Sequence, residues 1–440
     1  MQDKQDILRL VKEHDVKFIK LWFTDILGFL KSFAITVAEL EKALEEGMGF
    51  DGSSIQGFAR IDESDMVALP DPNTFQILPW LAGGRRAARM FCDILLPGGR
   101  PFEGDPRYVL RKNLKRAADL GYTFYVGPEL EYFYFQDAHS TKTLDDGGYF
   151  DLTPLDIASE LRKETVLTLE ELGIAVELSH HETATSQHEI DLKYTDALTM
   201  ADNVMTYRLA VKEVAMKRGI YATFMPKPIL GVNGSGMHIH QSLFNAGGNV
   251  FFDKDDRYYL SKIAKHYIAG LLRHAPEFTA VTCQWVNSYK RLIPGYEAPV
   301  YITWARRNRS DLIRVPEYQP GKEKDTRVEL RSPDPACNPY LAFSVLLAAG
   351  LEGVEKEYEL PGSVEENAFE MSEEERKKRG IGTLPGSLWE AIQLTKESEL
   401  VRRCLGAHLF ESFIKNKEIE WDNYRSQVTD YELKRYLPIL

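Results

Sequence analysis

Glu129 and Glu131 stand two residues apart in the stretch GPELEYFYF, residues 127–135. The aromatic and apolar residues around them read as a β-strand, in which alternate side chains share a face. Glu129, Glu131, Phe133 and Phe135 then lie on one side, and Leu130, Tyr132 and Tyr134 on the other. Two rises put the carboxylates about 6–7 Å apart. Burying two like charges that close is costly unless something positive lies between them. An edge strand with both glutamates in water would explain this stretch equally well, so the rest of the chain must decide.

Further carboxylates and histidines sit in other strand-like pieces. HHETATSQHEIDLKY (180–194) offers Glu182, Glu189 and three histidines, and NGSGMHIH (233–240) puts His238 and His240 on one strand face after a glycine turn. RVELRSPDP (327–335) alternates Arg327, Glu329 and Arg331 onto one face. An oxygen-rich set with one or two histidines and no thiolate suits Mg²⁺ or Mn²⁺, and its repetition points to two divalent cations. The usual phosphate loops are missing: there is neither GxxxxGK[ST] nor a GxGxxG fingerprint. Arginines take their place in ARRNRSDLIR (305–314), where Arg306, Arg307, Arg309 and Arg314 suit a phosphate or carboxylate. Just before them, in NSYKRLIPGYEAP (287–299), two Pro/Gly-bounded turns flank Glu297, as in a loop that moves over a site.

These residues need a scaffold. A chain of 440 residues predicts two or more domains, and 44% hydrophobic content fills a sizeable core. Strands at 17–23 and 29–35, then a helix from the TVAE box (36–39) to Gly47, make the first hundred residues a small α+β unit. It ends at the turn-rich LLPGGRPFEGD. Asp105-Pro106, Thr153-Pro154, Asp196 and Asn338-Pro339 each signal a helix start, and SLWE (387–390) reads as a second capping box. Strands and helices do not alternate regularly, which favours α+β over a doubly wound sheet. Lys+Arg 54 against Asp+Glu 66 gives a net −12, against nucleic acid or an anionic membrane as main partner. Four scattered cysteines without a CxxC pair fit a reducing compartment. The charged start lacks a signal-peptide core, and the apolar run 341–351 is too short to span a bilayer, so a cytoplasmic protein is expected.

Taken in order, DGSS (51–54), GPELE, HETATSQHE, KPILGVNGSGMHIHQS, NSYKRLIPGYEAP, ARRNRS and RVELRS resemble the motifs of the glutamine synthetase family, the glutamate–ammonia ligases. The resemblance covers nearly all of the chain, whose length is similar to the shorter type I class. Phe369 falls where adenylylated relatives carry tyrosine, and Ser186 where glycine is common. The resemblance implies a β-grasp domain over 1–100 and a catalytic domain over 101–440, with a mainly antiparallel curved sheet flanked by helices. It implies a homo-oligomer, a dodecamer of two stacked hexamer rings, with each active site between neighbours. Glu131, Glu182 and Glu189 would hold one Mg²⁺ or Mn²⁺, and Glu129, His238 and Glu329 a second. Arg309 and Arg314 would contact the phosphates of ATP, with Arg309 also catalytic, and His240 and Ser242 the nucleotide. Arg291 and Arg331 would hold the carboxylates of L-glutamate, and Asn233 and Gly234 its amino end. Asp51 of a neighbouring subunit, Tyr149 and Glu297 would form the ammonium site. Arg60 matches an arginine linked to glutamine feedback, and a nitrogen-regulatory protein partner is a further possibility within the family. The implied reaction joins ammonia to glutamate through γ-glutamyl phosphate, giving glutamine, ADP and phosphate. The alternatives are a related ligase using a larger amine and an inactive structural relative.

Overall fold

The computed structural model describes residues 4–53, 55, 65–80, 86–294, 298–306, 308 and 311–440; Arg60, Glu297, Arg307 and Arg309 lie outside the described residues. Near the N-terminus, a sheet runs in the order Leu30–Thr36, Val16–Thr24, Arg86–Leu95, Asp65–Pro70, Met48–Asp51. Ile19, Leu21, Met90 and Ala68 point from it into a core closed by Ile7 and Val11 of the helix Lys4–Glu13 and by Leu40 and Ala43 of the helix Leu40–Glu46. Gly47 stops the second helix at φ +75°, where a Cβ would sit 2.4 Å from the Val67 side chain. The capping box expected at TVAE is not made. A 3₁₀ turn, Val37–Glu39, intervenes, and the Thr36 side chain accepts no capping bond.

The second sheet runs Tyr301–Ala305, Asp311–Arg314, Val328–Leu330, Met237–Asn245, Thr123–Phe135, Gln187–Leu192, Val176–His181. Its pairings are antiparallel except that between Tyr301–Ala305 and Asp311–Arg314. GPELEYFYF is therefore a central strand, which removes the edge-strand alternative. Both of its faces are covered: Leu130, Tyr132 and Tyr134 enter the main core, while Phe133 and Phe135 pack with Ala184. The helix Pro339–Glu355 lies against Lys262–Thr282, close enough that a Cβ on Gly270 would be 2.2 Å from the Ala349 carbonyl.

Helix starts follow their capping residues in most places. Asp105 accepts from Arg107 N–H, Asp196 from Thr199 N–H, and Asn338 from Tyr340 and Leu341 N–H. Each such cap is worth about 1 kcal/mol. The helix expected from Thr153-Pro154 begins later, at Ser159, and ends at Glu171. Residues 152–156 instead form turns closed on the Leu152 carbonyl, and Asp156 reaches forward to Arg162 at 2.8 Å. At SLWE, Ser387 caps Glu390 N–H, but the Glu390 carboxylate takes Gly386 N–H rather than that of Ser387, so only half of the box forms. Among the described residues, no helix is long and apolar enough to cross a membrane.

One buried guanidinium joins the two sheets' surroundings. Arg107 grips Asp202 through two bonds of 3.1 and 2.9 Å, and also pairs with Asp71 at 2.8 Å and Asp93 at 2.5 Å. Tyr340 donates to Asp202 at 2.6 Å. Removing Asp202 leaves Arg107 with Asp71 and Asp93 but takes away two of its bonds and the acceptor of the Tyr340 hydroxyl, so Asp202→Ala is expected to cost about 1–3 kcal/mol. Asp202→Asn, which keeps acceptor and shape, should cost less. Denaturant unfolding of both variants checks this, and equal stabilities for wild type and Asp202→Ala would refute it.

Candidate active site

The register of the second sheet converts one strand's alternation into a site. Glu129 lies opposite His238 on one side and Asp191 on the other; Glu131 lies opposite Glu189. One strand further out, Glu329 faces both His240 and Arg314. The four segments singled out in the sequence thus meet on one region of the sheet.

Among the described residues, ligand atoms of His180, Glu182 and Glu189 fall within 4.8 Å of one another. Glu131 is electrostatically linked to both glutamates and is held by Gly236 N–H at 3.0 Å and the Gln187 side-chain amide at 2.8 Å. Burial and then the Glu182 charge push the Glu131 carboxyl up to about 8. Burial, Asp191 and Glu131 push Glu189 well above its ordinary range, and burial raises Asp191 to about 7. This is an acid cluster short of positive charge. Its oxygen-rich donor set with one imidazole fits a hard divalent cation.

The neighbouring group has the opposite balance. Glu129 accepts from His238 at 3.1 Å and from His240 at 2.5 Å. Glu329, fully buried, pairs with Arg331 at 2.5 Å and also with Arg314. Burial would raise both carboxyls, but His240 and His238 outweigh it at Glu129, as Arg331 and the histidines do at Glu329, and both end below the ordinary range. Burial and Arg331 lower His238 to about 4, which leaves it a neutral imidazole suited to ligation. Arg327 donates to His240 Nδ1 at 3.1 Å, so the His240 proton sits on Nε2 and points at Glu129. In this second group the ligand atoms of Glu129, His240 and Glu329 fall within 4.8 Å of one another, while His238 Nδ1 lies 3.1 Å from Glu129 and 3.6 Å from Glu329.

Two cavities adjoin these groups. One of about 260 Å³ is lined by Glu129, Asp191, His240, Ser242, Tyr125 and Arg327. The other, about 690 Å³, brings together Arg306, Arg314, Arg327, Lys322 and the rings of Tyr259 and Tyr318. A larger cavity of about 760 Å³, beside Phe29, Met225 and Trp285, contains none of the clustered acids. Gly234 and Gly236 let the 233–236 turn close over Arg291: a Cβ on Gly236 would lie 2.6 Å from its guanidinium, and one on Gly234 2.3 Å from the Pro226 carbonyl. The Arg291 terminal nitrogens are tied to the carbonyls of Arg331, Ser332 and Pro333. Asn233 borders the same turn. Tyr149 stacks on Phe150 at 4.1 Å and meets His180 edge-on at 5.3 Å. Asp51 lies apart, exposed on an outer strand of the N-terminal sheet, with its hydrogen bonds to Ser53.

The sequence reading had not assigned His180, Asp191 or Gln187 to the site. All three are two-residue neighbours of Glu182 and Glu189, but only strand pairing shows that they lie in the same region of the sheet as Glu129 and Glu131.

The chain matches the family model described as "Glutamine synthetase, catalytic domain" over residues 103–436 and the one described as "Glutamine synthetase, beta-Grasp domain" over 15–97. It is 54% identical over 444 residues to a glutamine synthetase of Mycolicibacterium smegmatis, covering 100% of both chains. It is 53% identical over 441 residues to one of Methanosarcina mazei, covering 99% of this chain and 98% of that one. Among solved structures, a GmaS/ADP complex superposes with a TM-score of 0.90 at 31% identity over 100% of each chain. A Plasmodium falciparum glutamine synthetase gives 0.88 at 25% identity over 99% of each.

The raised carboxyls predict how a cation should bind. Without one, folded Glu131 keeps its proton up to about 8, against an ordinary 4.5. Its contribution to stability is then complete below the ordinary value and is lost as pH rises through about 8. The chelated protein should therefore lose melting temperature between about pH 4.5 and 8, and Mg²⁺ or Mn²⁺ should restore more at pH 8.5 than at 6. Binding should release protons near pH 7 and tighten as pH rises. Calorimetry in two buffers of different ionisation heat measures the release; identical heats in both would refute it.

Proposed function

The chain belongs to the glutamine synthetase family and forms glutamine from glutamate and ammonia with ATP; we propose that its two unlike acid clusters divide the work of that reaction. The family uses ATP and divalent metal ions. The observation that carries the reading is the contrast in charge balance between adjacent clusters. Burial and the Glu182 charge raise Glu131, and burial with Asp191 and Glu131 raises Glu189, which supports one Mg²⁺ or Mn²⁺ held beside Glu131, Glu182 and Glu189 whether or not substrate is present. Glu329 already pairs with Arg331 and Arg314, and Glu129 accepts hydrogen bonds from His238 and His240, which supports a second ion, at Glu129, His238 and Glu329, that binds together with the nucleotide's phosphates.

When bound, these ions would supply positive charge against the transferring γ-phosphoryl group. Arg314, beside the 690 Å³ cavity, and Arg309 would add to that charge, and His240 and Ser242 would line the nucleotide's path. A relative solved with ADP supports a nucleotide on this fold. Arg331 would pair with a glutamate carboxylate; Arg291, committed to three carbonyls, would hold the Arg331 segment as well as meet substrate. Asn233 and Gly234 would receive the amino end.

The glutamate side-chain carboxylate attacks the γ-phosphorus, and ADP leaves. The product, γ-glutamyl phosphate, now has phosphate as a leaving group where the carboxylate had none. Ammonium must lose a proton before its nitrogen can attack the acyl carbon. Asp51, Tyr149 and Glu297 would bind the cation, with Asp51 taking the proton and the Glu297 loop keeping water from the acyl phosphate. Asp51 on an exposed outer strand supports its service to a neighbouring subunit. Completing the proposal are a domain boundary at 100/101, a twelve-subunit double ring, a cytoplasmic location, feedback through Arg60 and a nitrogen-regulatory partner.

Phosphate release from Mg·ATP and glutamate tests the acceptor. It should require ammonium and match the glutamine formed; release with a polyamine but not with ammonium would overturn the ammonium site. Glu297→Ala should keep ATP binding and lose most glutamine formation, and wild-type turnover by that variant would sink its assignment.

A further inference from the structure

Beside the first acid cluster lies a buried polar knot that the reaction scheme leaves unused. Asp145 Oδ1 accepts from Ser186 N–H at 2.7 Å, from His181 Nε2 at 3.1 Å and from Gly147 N–H at 3.4 Å. Ser186 is fully buried and held at φ +58°, a conformation that ordinarily favours glycine. Its hydroxyl accepts two backbone N–H groups, Leu144 at 2.6 Å and Asp145 at 3.2 Å. Glycine would fit that backbone better but could not make those bonds. At the other end, the His181 carbonyl takes Phe150 N–H at 3.1 Å, and His181 Nδ1 bonds the Glu182 carbonyl at 2.7 Å. Between these ends Gly147 lies on the His181 ring, with room for a Cβ only 2.7 Å from Nε2.

These contacts pin residues 144–150 to residues 181–186 at both ends. Tyr149 rides on the pinned loop, and Phe150 beside it meets His180 edge-on at 4.8 Å. A metal held by Asp145, His181 and His188 does not suit the same geometry, although their ligand atoms lie within 4.8 Å. Arg162 donates to His188 Nδ1 at 2.9 Å, which puts the His188 proton on the nitrogen that ligation would need.

We propose that Asp145, His181 and Ser186 are positioning residues that fix the spacing between the Tyr149 loop and Glu182, and so set the size of the acceptor pocket. This rests on the reading that Tyr149 lines the ammonium site. The latch couples the acceptor side of the reaction to the metal side without touching either substrate. Loosening it should weaken ammonium selectively and admit a slightly larger amine.

Ser186→Ala isolates the hydroxyl, because alanine meets the same backbone strain as serine. In the full assembly with saturating Mg·ATP and glutamate, Ser186→Ala should raise the KM for ammonium about tenfold. The kcat and the KM for ATP should stay within about twofold, and the ratio of methylamine to ammonium turnover should rise. Asp145→Asn should shift the same quantities further; if it fails to fold, Ser186→Ala decides. Tyr149→Ala is the control for the underlying reading. An unchanged ammonium KM in Tyr149→Ala would overturn that reading and the latch with it. A raised KM in Tyr149→Ala with no change in folded Ser186→Ala and Asp145→Asn would overturn the latch alone. Equal increases in KM for ATP and ammonium would likewise overturn it, since a general loosening of the fold acts on both.

Discussion

Carboxylates crowded in a region of low dielectric are the constraint on which the rest of this structure depends. Two unit charges 4 Å apart repel by about 4 kcal/mol at an effective dielectric of 20, and the first cluster sets Glu131, Glu182, Glu189 and Asp191 against one another. No local sequence preference would gather them. The sheet does it, because a central strand flanked by two ordered neighbours cannot slip register without turning Leu130, Tyr132 and Tyr134 out of the core. Apolar burial on one face thus bears the electrostatic cost on the other. A metal-free chain relieves part of that cost by keeping protons, and a bound cation relieves it by replacing them.

The second cluster meets the same problem differently. Arg331 and Arg314 stand on Glu329, and two imidazoles stand on Glu129, so these carboxylates are compensated before any ligand arrives. A cation entering there must displace bonds that already exist, whereas one entering the first cluster displaces protons. On the proposed assignment the difference would give the site an order: one position that calls for an ion at all times, and one that becomes favourable when phosphate oxygens add their own negative charge. Arg314 borders the 690 Å³ cavity and pairs with Glu329.

Much of this could be read from residue types and spacing. The period of two puts Glu129 and Glu131 on one face, Asp105, Asp196 and Asn338 mark their helices, and the four chemistry-bearing segments stand out by residue type alone. What could not be read was which strand lies beside which. Asp191 became part of the site because it is the register partner of Glu129, and His180 because Val176–His181 pairs with the strand carrying Glu189. The helix start at Thr153-Pro154 was misplaced for a related reason. The local signal was sound, but a turn closed on Leu152 and the Asp156–Arg162 pair, both tertiary in origin, held the chain out of the helix until Ser159.

Ser186 shows how a departure from a common pattern acquires meaning only in three dimensions. In the sequence it is a serine where glycine is frequent, with nothing to say whether that matters. In the fold it occupies a glycine-like backbone conformation and its hydroxyl accepts from the N–H groups of Leu144 and Asp145. Its own N–H and the His181 ring then converge on one oxygen of Asp145. The strain at one residue and the convergence on another belong to a single device, and that device lies between the loop of Tyr149 and the backbone of Glu182. On the proposed assignment, the contacts that hold the Tyr149 loop are the ones that also hold the backbone of Glu182.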